Sequence, residues 1–157
     1  MIEGRIEKAS GEQIEAHLRE AWGLPVVSVS REYMPEDVEG LLWRDDGGAV
    51  QGFVMWAVDG EAAEIVSVEA LRQGMHIGGR LLDAAEEALR ARGVWRITIV
   101  TTNDNLRALA FYVRRGYRLV RLHTDAMDRV RARKPQVPLA GAEGIPLRDM
   151  WELEKEL

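Results

Sequence analysis

The chain has 157 residues, a length that fits one domain around one hydrophobic core. Apolar residues make up 46% and charged residues 30%, and the formal net charge of -5 argues against broad electrostatic binding to nucleic acid. The sequence contains no cysteine, which excludes disulfides, thiolate metal ligands and a cysteine nucleophile.

The N-terminal half predicts one helix followed by a meander of strands. Ile14, Leu18 and Ala21 recur at helical spacing and predict a helix over 11–22, which the Gly23-Leu24-Pro25 segment ends. An extended segment is predicted over 26–29, and strands over 38–44, 49–58 and 61–69, with a hairpin signal at Asp59-Gly60. Residues 2–5 fit two interpretations: a protease-site remnant of an expression vector, or the start of a first strand.

The second half changes from strand spacing to helix spacing. Ile77, Leu81, Ala88 and Leu89 predict an amphipathic helix, which Gly93 ends. Further predicted elements are a strand over 96–102, a helix over 105–115, a strand over 117–123, a short helix over 126–133 and a strand over 149–157. This order predicts an α+β fold, with a mixed, mostly antiparallel central sheet flanked by helices.

A glycine-rich turn joins the strand that ends near Glu69 to the helix that begins near Ile77. The first turn of a helix has backbone N–H groups without intrahelical partners and carries the positive end of the helix dipole. Gly74, Gly78 and Gly79 would let a phosphate approach these groups closely. The turn therefore fits an anion-binding cradle, and it also fits a plain strand-to-helix turn that happens to use glycine.

Two motifs resemble those of a known enzyme family. They are Gln73-x-x-His76-x-Gly78 and Asn105-x-x-Ala108-x-x-Phe111-Tyr112-x-x-x-Gly116-Tyr117. The first resembles the pyrophosphate-binding motif of the GNAT N-acetyltransferases, and the second resembles that family's other cofactor motif. Both occur in the family's order, and the resemblance covers about 50–122 closely. Residues 123–157 resemble, more loosely, the tail of a bacterial GNAT subgroup. The resemblance implies a single acyl-CoA N-acyltransferase domain over 1–157, with 123–157 as a C-terminal extension.

The resemblance also implies roles for individual residues. The strand at Val66, Ser67 and Val68 would pair its backbone with the pantetheine arm of acetyl-CoA. The pyrophosphate would be held after Gln73 by the backbone amides of Gly74, Met75, His76, Ile77, Gly78 and Gly79. Asn105 would contact the pantetheine or help to fix the second helix.

His76 departs from the family pattern, because it stands where the family usually has its first glycine. The backbone N–H survives this substitution, and histidine tolerates a positive φ better than most residues do. Its side chain either points outward without a role or, when protonated, touches a phosphate.

Acetyl transfer to an amine needs a base, an oxyanion donor and a proton donor for the departing thiolate. Glu64 is the first candidate base, since on a regular strand it shares a face with Val66 and Val68; the alternative is a salt-bridged strand glutamate. Glu69 would point to the opposite face unless a bulge intervenes. His123 is a second candidate base, while the backbone N–H of Val68 or a neighbour would hold the oxyanion. Tyr112 would lie near the thioester sulfur as the proton donor, or it simply packs beside Phe111.

The expected function is thus transfer of an acetyl group from acetyl-CoA to a primary amine by direct attack in a ternary complex. The alternative is a non-catalytic acyl-CoA sensor, which needs neither Tyr112 nor a base. We expect no metal, no nucleic acid and no membrane partner, and a cytoplasmic location, since the sequence has neither a long apolar run nor a signal segment. Trp22 or Trp43 could line the acceptor pocket. An exposed C-terminal strand could pair across a homodimer.

Overall fold

The computed structural model describes residues 3–29, 31–71 and 76–157. The strands are β1 (Gly4–Lys8), β2 (Val26–Val27), β3 (Glu32–Tyr33), β4 (Glu39–Asp45), β5 (Val50–Asp59), β6 (Ala62–Ala70), β7 (Arg96–Thr102), β8 (Arg118–His123) and β9 (Met150–Glu156). The helices are α1 (Gly11–Ala21), α2 (Ile77–Ala91), α3 (Leu106–Arg114) and α4 (Ala126–Arg133), with short 3-10 turns at Pro35–Asp37 and Ala142–Gly144. Within these described ranges no helix is both long enough and apolar enough to cross a membrane.

Seven strands form one sheet in the order β1-β4-β5-β6-β7-β9-β8, and β2 pairs with β3 separately. The pairs β1–β4, β4–β5, β5–β6 and β8–β9 are antiparallel. The predicted fold class, α+β with a mostly antiparallel sheet flanked by helices, is therefore confirmed. The chain forms two compact units, Met1–Val26 with Glu32–Ile97 and Leu157, and Val27–Arg31 with Thr98–Glu156. That residues 1–157 act as one domain stays a prediction.

In the first unit, α1 covers the part of the sheet formed by β4, β5 and β6. Ser10 begins this helix with a capping box, because its side chain accepts from the N–H of Gln13 while the Gln13 side chain accepts from the N–H of Ser10. The apolar face of α1 packs into a core cluster with one face of β4 and β5. From the segment 2–5, Gly4 and Arg5 belong to β1 and pair with β4.

In the second unit, β9 pairs along β8, with Arg118 opposite Glu154 and His123 opposite Met150. A small core of Met127, Val130, Leu147 and Met150 packs α4 against this part of the chain. Since β9 lies between β7 and β8 in the sheet, it is an inner strand and presents no free edge. The sequence analysis expected an exposed C-terminal strand, and this expectation is wrong. The reason for expecting a homodimer through that strand is thereby removed.

Candidate active site

Strand β6 contains an irregularity at the position that the sequence assigns to the cofactor. Met55 on β5 pairs with Ser67, whereas the next residue, Trp56, pairs with Ile65. Val66 is thus an extra residue on β6, which is a β-bulge. At a bulge, two residues of one strand lie opposite one residue of its partner. Beyond the bulge, each side chain of the bulged strand therefore points to the opposite face from the one that regular alternation would give it.

The bulge corrects the predicted facing of Glu64. Opposite residues of antiparallel strands share a face, so Glu64, paired with Ala57, lies on the same face as Ser67, paired with Met55. Ala57 and Met55 belong to the core cluster against α1, and Val66 packs against that cluster too. Val68 pairs instead with Val54, and successive residues of a strand face opposite sides, so Val54 and Val68 lie on the face opposite to Met55 and Ser67. The prediction that Glu64 shares a face with Val68 is therefore wrong.

The same reversal brings Glu69 to the face of Glu64. Glu69 pairs with Phe53, another member of the core cluster against α1. The sequence analysis placed Glu69 on the opposite face of a regular strand and noted that a bulge would reverse this. The bulge is present, and both carboxylates face α1.

Glu64, Ser67 and Glu69 form a polar row on the face of β6 toward α1, and three side chains from other elements contact this row. The Tyr33 hydroxyl donates to Oε1 of Glu64 at 2.7 Å, and the Trp22 indole N–H donates to Oγ of Ser67 at 3.2 Å. Tyr33 is 2% exposed, whereas Trp22 is 51% exposed. The structure thus gives Glu64 a tyrosine partner, and it places Trp22, one of two tryptophans expected near an acceptor, beside the bulge.

His17 is the third contact, and the sequence analysis assigned it no role. It is buried on α1, its ring stacks on Phe53 with centroids 4.3 Å apart, and its Nε2 lies 3.2 Å from Oε2 of Glu69. The angles at that distance are not those of a hydrogen bond. Burial lowers the pKa of His17 below its usual 6.5, and the nearby carboxylates of Glu69 and Glu20 oppose this shift only in part. The imidazole is therefore neutral near pH 7. Its spacing from Ile14 and Leu18 was the signal of burial.

The turn between β6 and α2 is described only from His76 onward. Gln73, Gly74 and Met75, three of the residues expected to hold the pyrophosphate, lie outside the described residues. His76 is exposed and has φ 57 and ψ 18, the left-handed conformation, at the N-cap of α2. The position thus has the positive φ that would suit the family's glycine.

Helix α2 begins directly after His76. Its first intrahelical bond runs from the N–H of Arg80 to the carbonyl of His76 at 3.0 Å, so the amides of Ile77 and Gly78 precede the helical ladder. Gly79 is buried, and Ile77 and Leu81 press against the backbone of β5, where a Cβ on Gly52 would come within 2.9 Å of Ile77. Packing therefore fixes the direction of the helix N-terminus, which is where an anion would bind.

The second motif is described within the second unit. The Asn105 side chain accepts from the N–H of Ala108 at 3.0 Å and so caps α3. Of its two expected roles, fixing the helix is the one that the contacts show. Tyr112 is 8% exposed, and its ring lies edge-on to Phe111 and Tyr117. Burial raises the pKa of Tyr112 to about 12.

His123, the second candidate base, has a carboxylate partner. Its Nε2 lies 2.9 Å from Oε1 of Glu152, which is 9% exposed and also accepts from Arg121 at 3.0 Å. These contacts favour an ordinary hydrogen-bonded role for His123 at the end of β8. Across the described part of the chain, no three histidine, aspartate or glutamate side chains group as metal ligands.

A family model described as "Acetyltransferase (GNAT) family" matches residues 10–117. The chain belongs to this family. Among GNAT relatives, the Uncharacterized protein YxbD of Bacillus subtilis (strain 168) is 38% identical over 145 residues, which are 92% of this chain and 91% of YxbD.

Two solved GNAT structures show the same fold. The IAA acetyltransferase from Bacillus cereus has a TM-score of 0.79 at 22% identity and covers 99% of this chain and 100% of that chain. A GNAT family acetyltransferase from Elizabethkingia anophelis with acetyl-CoA bound has a TM-score of 0.76 at 18% identity and covers 98% of each chain. The fold implied by the two sequence motifs is thus confirmed, and the GNAT match extends beyond the motifs to the start of α1.

Proposed function

We propose that this GNAT protein transfers an acetyl group from acetyl-CoA to a primary amine by direct attack in a ternary complex. The observation that carries the proposal is that three features follow one another along the chain: a strand with a bulge, a residue in the left-handed conformation at His76, and the N-terminus of α2. The acetyl-CoA in the Elizabethkingia anophelis structure supports the choice of donor. Acetyl-CoA is a cosubstrate here, consumed in each cycle.

Two features support binding of the cosubstrate. The amides of Ile77 and Gly78 and the dipole of α2 favour an anion, which the pyrophosphate supplies. The backbone at Val66–Val68 would pair with the pantetheine arm through those groups that its neighbours in the sheet leave unused. A bulge leaves one residue out of the regular ladder, and on β6 this residue is Val66, which has no partner residue on β5.

In the proposed reaction, an uncharged amine attacks the thioester carbonyl carbon and a C–N bond forms. An alkylammonium with a pKa of about 10 is only about one part in a thousand free base at pH 7, so a base is required. Before the attack, Glu64 takes one proton from the ammonium, directly or through one water, and releases it to solvent. After the C–N bond forms, the nitrogen loses its second proton by the same route, which gives the neutral amide. The N–H of Val68 or a neighbour holds the oxyanion until the C–S bond breaks.

The departing CoA thiolate requires a hydrogen-bond donor, and we assign this role to Tyr112 from the family motif. With a pKa of about 12 the phenol keeps its proton throughout the neutral range. A thiol titrates at about 8.5, so the phenol stabilises the thiolate mainly by donating a hydrogen bond, and the thiolate takes its proton from solvent. From the family motif, Tyr112 is therefore proposed as the hydrogen-bond donor to the thiolate, and Glu64 is proposed separately as the base.

The decisive experiment measures free thiol release from acetyl-CoA across a panel of primary amines, with calorimetry of CoA binding on the same preparation. Release that depends on an amine, together with CoA affinity, supports the proposal. Tight binding without release from any amine would favour the non-catalytic sensor instead. No affinity for CoA or its acyl esters would overturn both assignments, because each depends on the α2 cradle.

A further inference from the structure

A pocket of about 430 Å³ lies beside α1 in the first unit, and none of the steps above uses it. Its wall includes Gln13, His17 and Glu20 from successive turns of α1, and Phe53, Glu69 and Leu71 from β5, β6 and the residue after β6. Residues three and four apart share one side of a helix, so Gln13, His17 and Glu20 face the pocket together, with Ala16 and Ala21 beside them.

The charges of the wall favour a cation. Two carboxylates, Glu20 and Glu69, line the pocket, and no lysine or arginine is among the described residues that form it. Burial lowers the pKa of His17, so this imidazole adds no positive charge near neutral pH. An anionic ligand would meet repulsion here, whereas an ammonium group would meet two opposite charges and the Gln13 amide.

The buried imidazole is an independent sign of a ligand. His17 is 8% exposed, and its Nε2 has no hydrogen-bond partner although it lies 3.2 Å from the Glu69 carboxylate. A buried polar nitrogen without a partner is costly. An ammonium group has three N–H donors, which is enough to bond the imidazole and a carboxylate together.

The pocket adjoins the polar row of Glu64, Ser67 and Glu69 on β6, beside which the acetyl transfer is proposed to occur. Glu69 lies on the same face of β6 as Ser67 and Glu64 because of the bulge at Val66. Two residues along a strand span about 7 Å. A diamine with four or five methylene groups has five or six bonds between its nitrogens, which at roughly 1.25 Å per bond of extended chain places them about 6–7.5 Å apart and matches that separation.

We propose that the acceptor is a diamine whose non-reacting ammonium group binds between Glu20 and Glu69 beside His17. Its other amine reaches the thioester beside Ser67. The partners of Glu69 and Glu64 on β5 are four residues, about 13 Å, apart, so this amine loses its proton to Glu64 through intervening water. This assignment rests on the proposed acetyl transfer and adds the class of the acceptor. The second cation is held by charge and hydrogen bonds, so it acts on substrate binding rather than on the chemical step.

The test compares putrescine with n-butylamine, which has the same four-carbon chain and lacks the second amine. We expect kcat/KM for putrescine to exceed that for n-butylamine by about tenfold. Glu20→Gln and Glu69→Gln should each reduce this preference by about fivefold through KM, the upper end for a partly exposed ion pair. The matched control is Glu15→Gln, because Glu15 is on the same helix, pairs with Arg19 and does not line the pocket.

The outcomes separate this assignment from the reaction itself. Equal kcat/KM for the two amines, or a preference that survives both pocket substitutions, overturns the diamine assignment and leaves acetyl transfer standing. Absence of thiol release with every amine overturns the transfer and the assignment together. Calorimetry of putrescine on the CoA-saturated protein gives a second readout, and a heat that Glu69→Gln leaves unchanged also counts against the pocket.

Discussion

Replacing His76 with glycine should stabilise the protein while preserving its affinity for CoA. A non-glycine residue in the left-handed region costs about 1–2 kcal/mol, and His76 has φ 57 and ψ 18. Glycine removes this cost but adds about 0.4–1 kcal/mol of unfolded-state entropy. Subtracting the midpoints of these two ranges leaves a net gain of about 0.8 kcal/mol, which raises Tm by roughly 2–3 °C for a chain of this size.

His76→Val should do the reverse, since a β-branched side chain tolerates a positive φ poorly. Urea unfolding measures the stability, and calorimetry measures CoA affinity, which should stay within about threefold for His76→Gly because only the backbone N–H is used. Glu143→Gly is the control: Glu143 is exposed and has φ 56 and ψ 24, so it should gain similar stability with unchanged CoA binding. A large loss of CoA affinity in His76→Gly alone would mean that the imidazole itself holds the phosphate.

Three further substitutions test other parts of the site. Tyr112→Phe should lower kcat about tenfold or more at unchanged KM for acetyl-CoA, and full turnover would remove its hydroxyl from the mechanism. Tyr33→Phe deletes the 2.7 Å bond to Glu64 and should lower the free energy of unfolding in urea by about 1.5–3 kcal/mol, the usual worth of a hydrogen bond to a charged group; an unchanged stability would show that this bond contributes nothing. Burial lowers the pKa of His17 in the folded protein. Below about pH 6.5 the unfolded chain therefore binds a proton more readily than the folded chain does, and the free energy of unfolding decreases as the pH is lowered, until the pH is below the folded-state pKa. His17→Phe keeps a ring to stack on Phe53, and should flatten that slope between pH 5 and 7; an identical slope would assign it to other groups.

Much of the fold was predictable because its longer elements carry clear spacing. The helix over 11–22 is α1 at Gly11–Ala21, and the strands over 49–58 and 61–69 are β5 and β6 to within one residue. The motif at 73–79 also predicted a helix start, and α2 does begin directly after His76, while binding of the pyrophosphate by backbone amides stays a prediction.

Shorter elements carried too little pattern to be predicted. Strand β3 has only the two residues Glu32–Tyr33, so no alternation can be read from it, yet it supplies the hydroxyl that bonds Glu64. Strand β1 was left open between two interpretations because its pairing with β4 is a long-range contact. The neutral state of His17 likewise comes from burial against Phe53, which depends on the packing of α1.

The bulge at Val66 had the largest consequence for the site and the least sequence signal. Val66 is a β-branched residue that suits a regular strand equally well, so nothing in Ile65-Val66-Ser67 announces an extra residue. Regular alternation would group Glu64 with Val68 and send Glu69 away. One inserted residue instead places both carboxylates and Ser67 on the face of α1, where Trp22 and Tyr33 contact them. In the mechanism proposed here the amine therefore approaches β6 from the side of α1, and that direction determines which residues can select the acceptor.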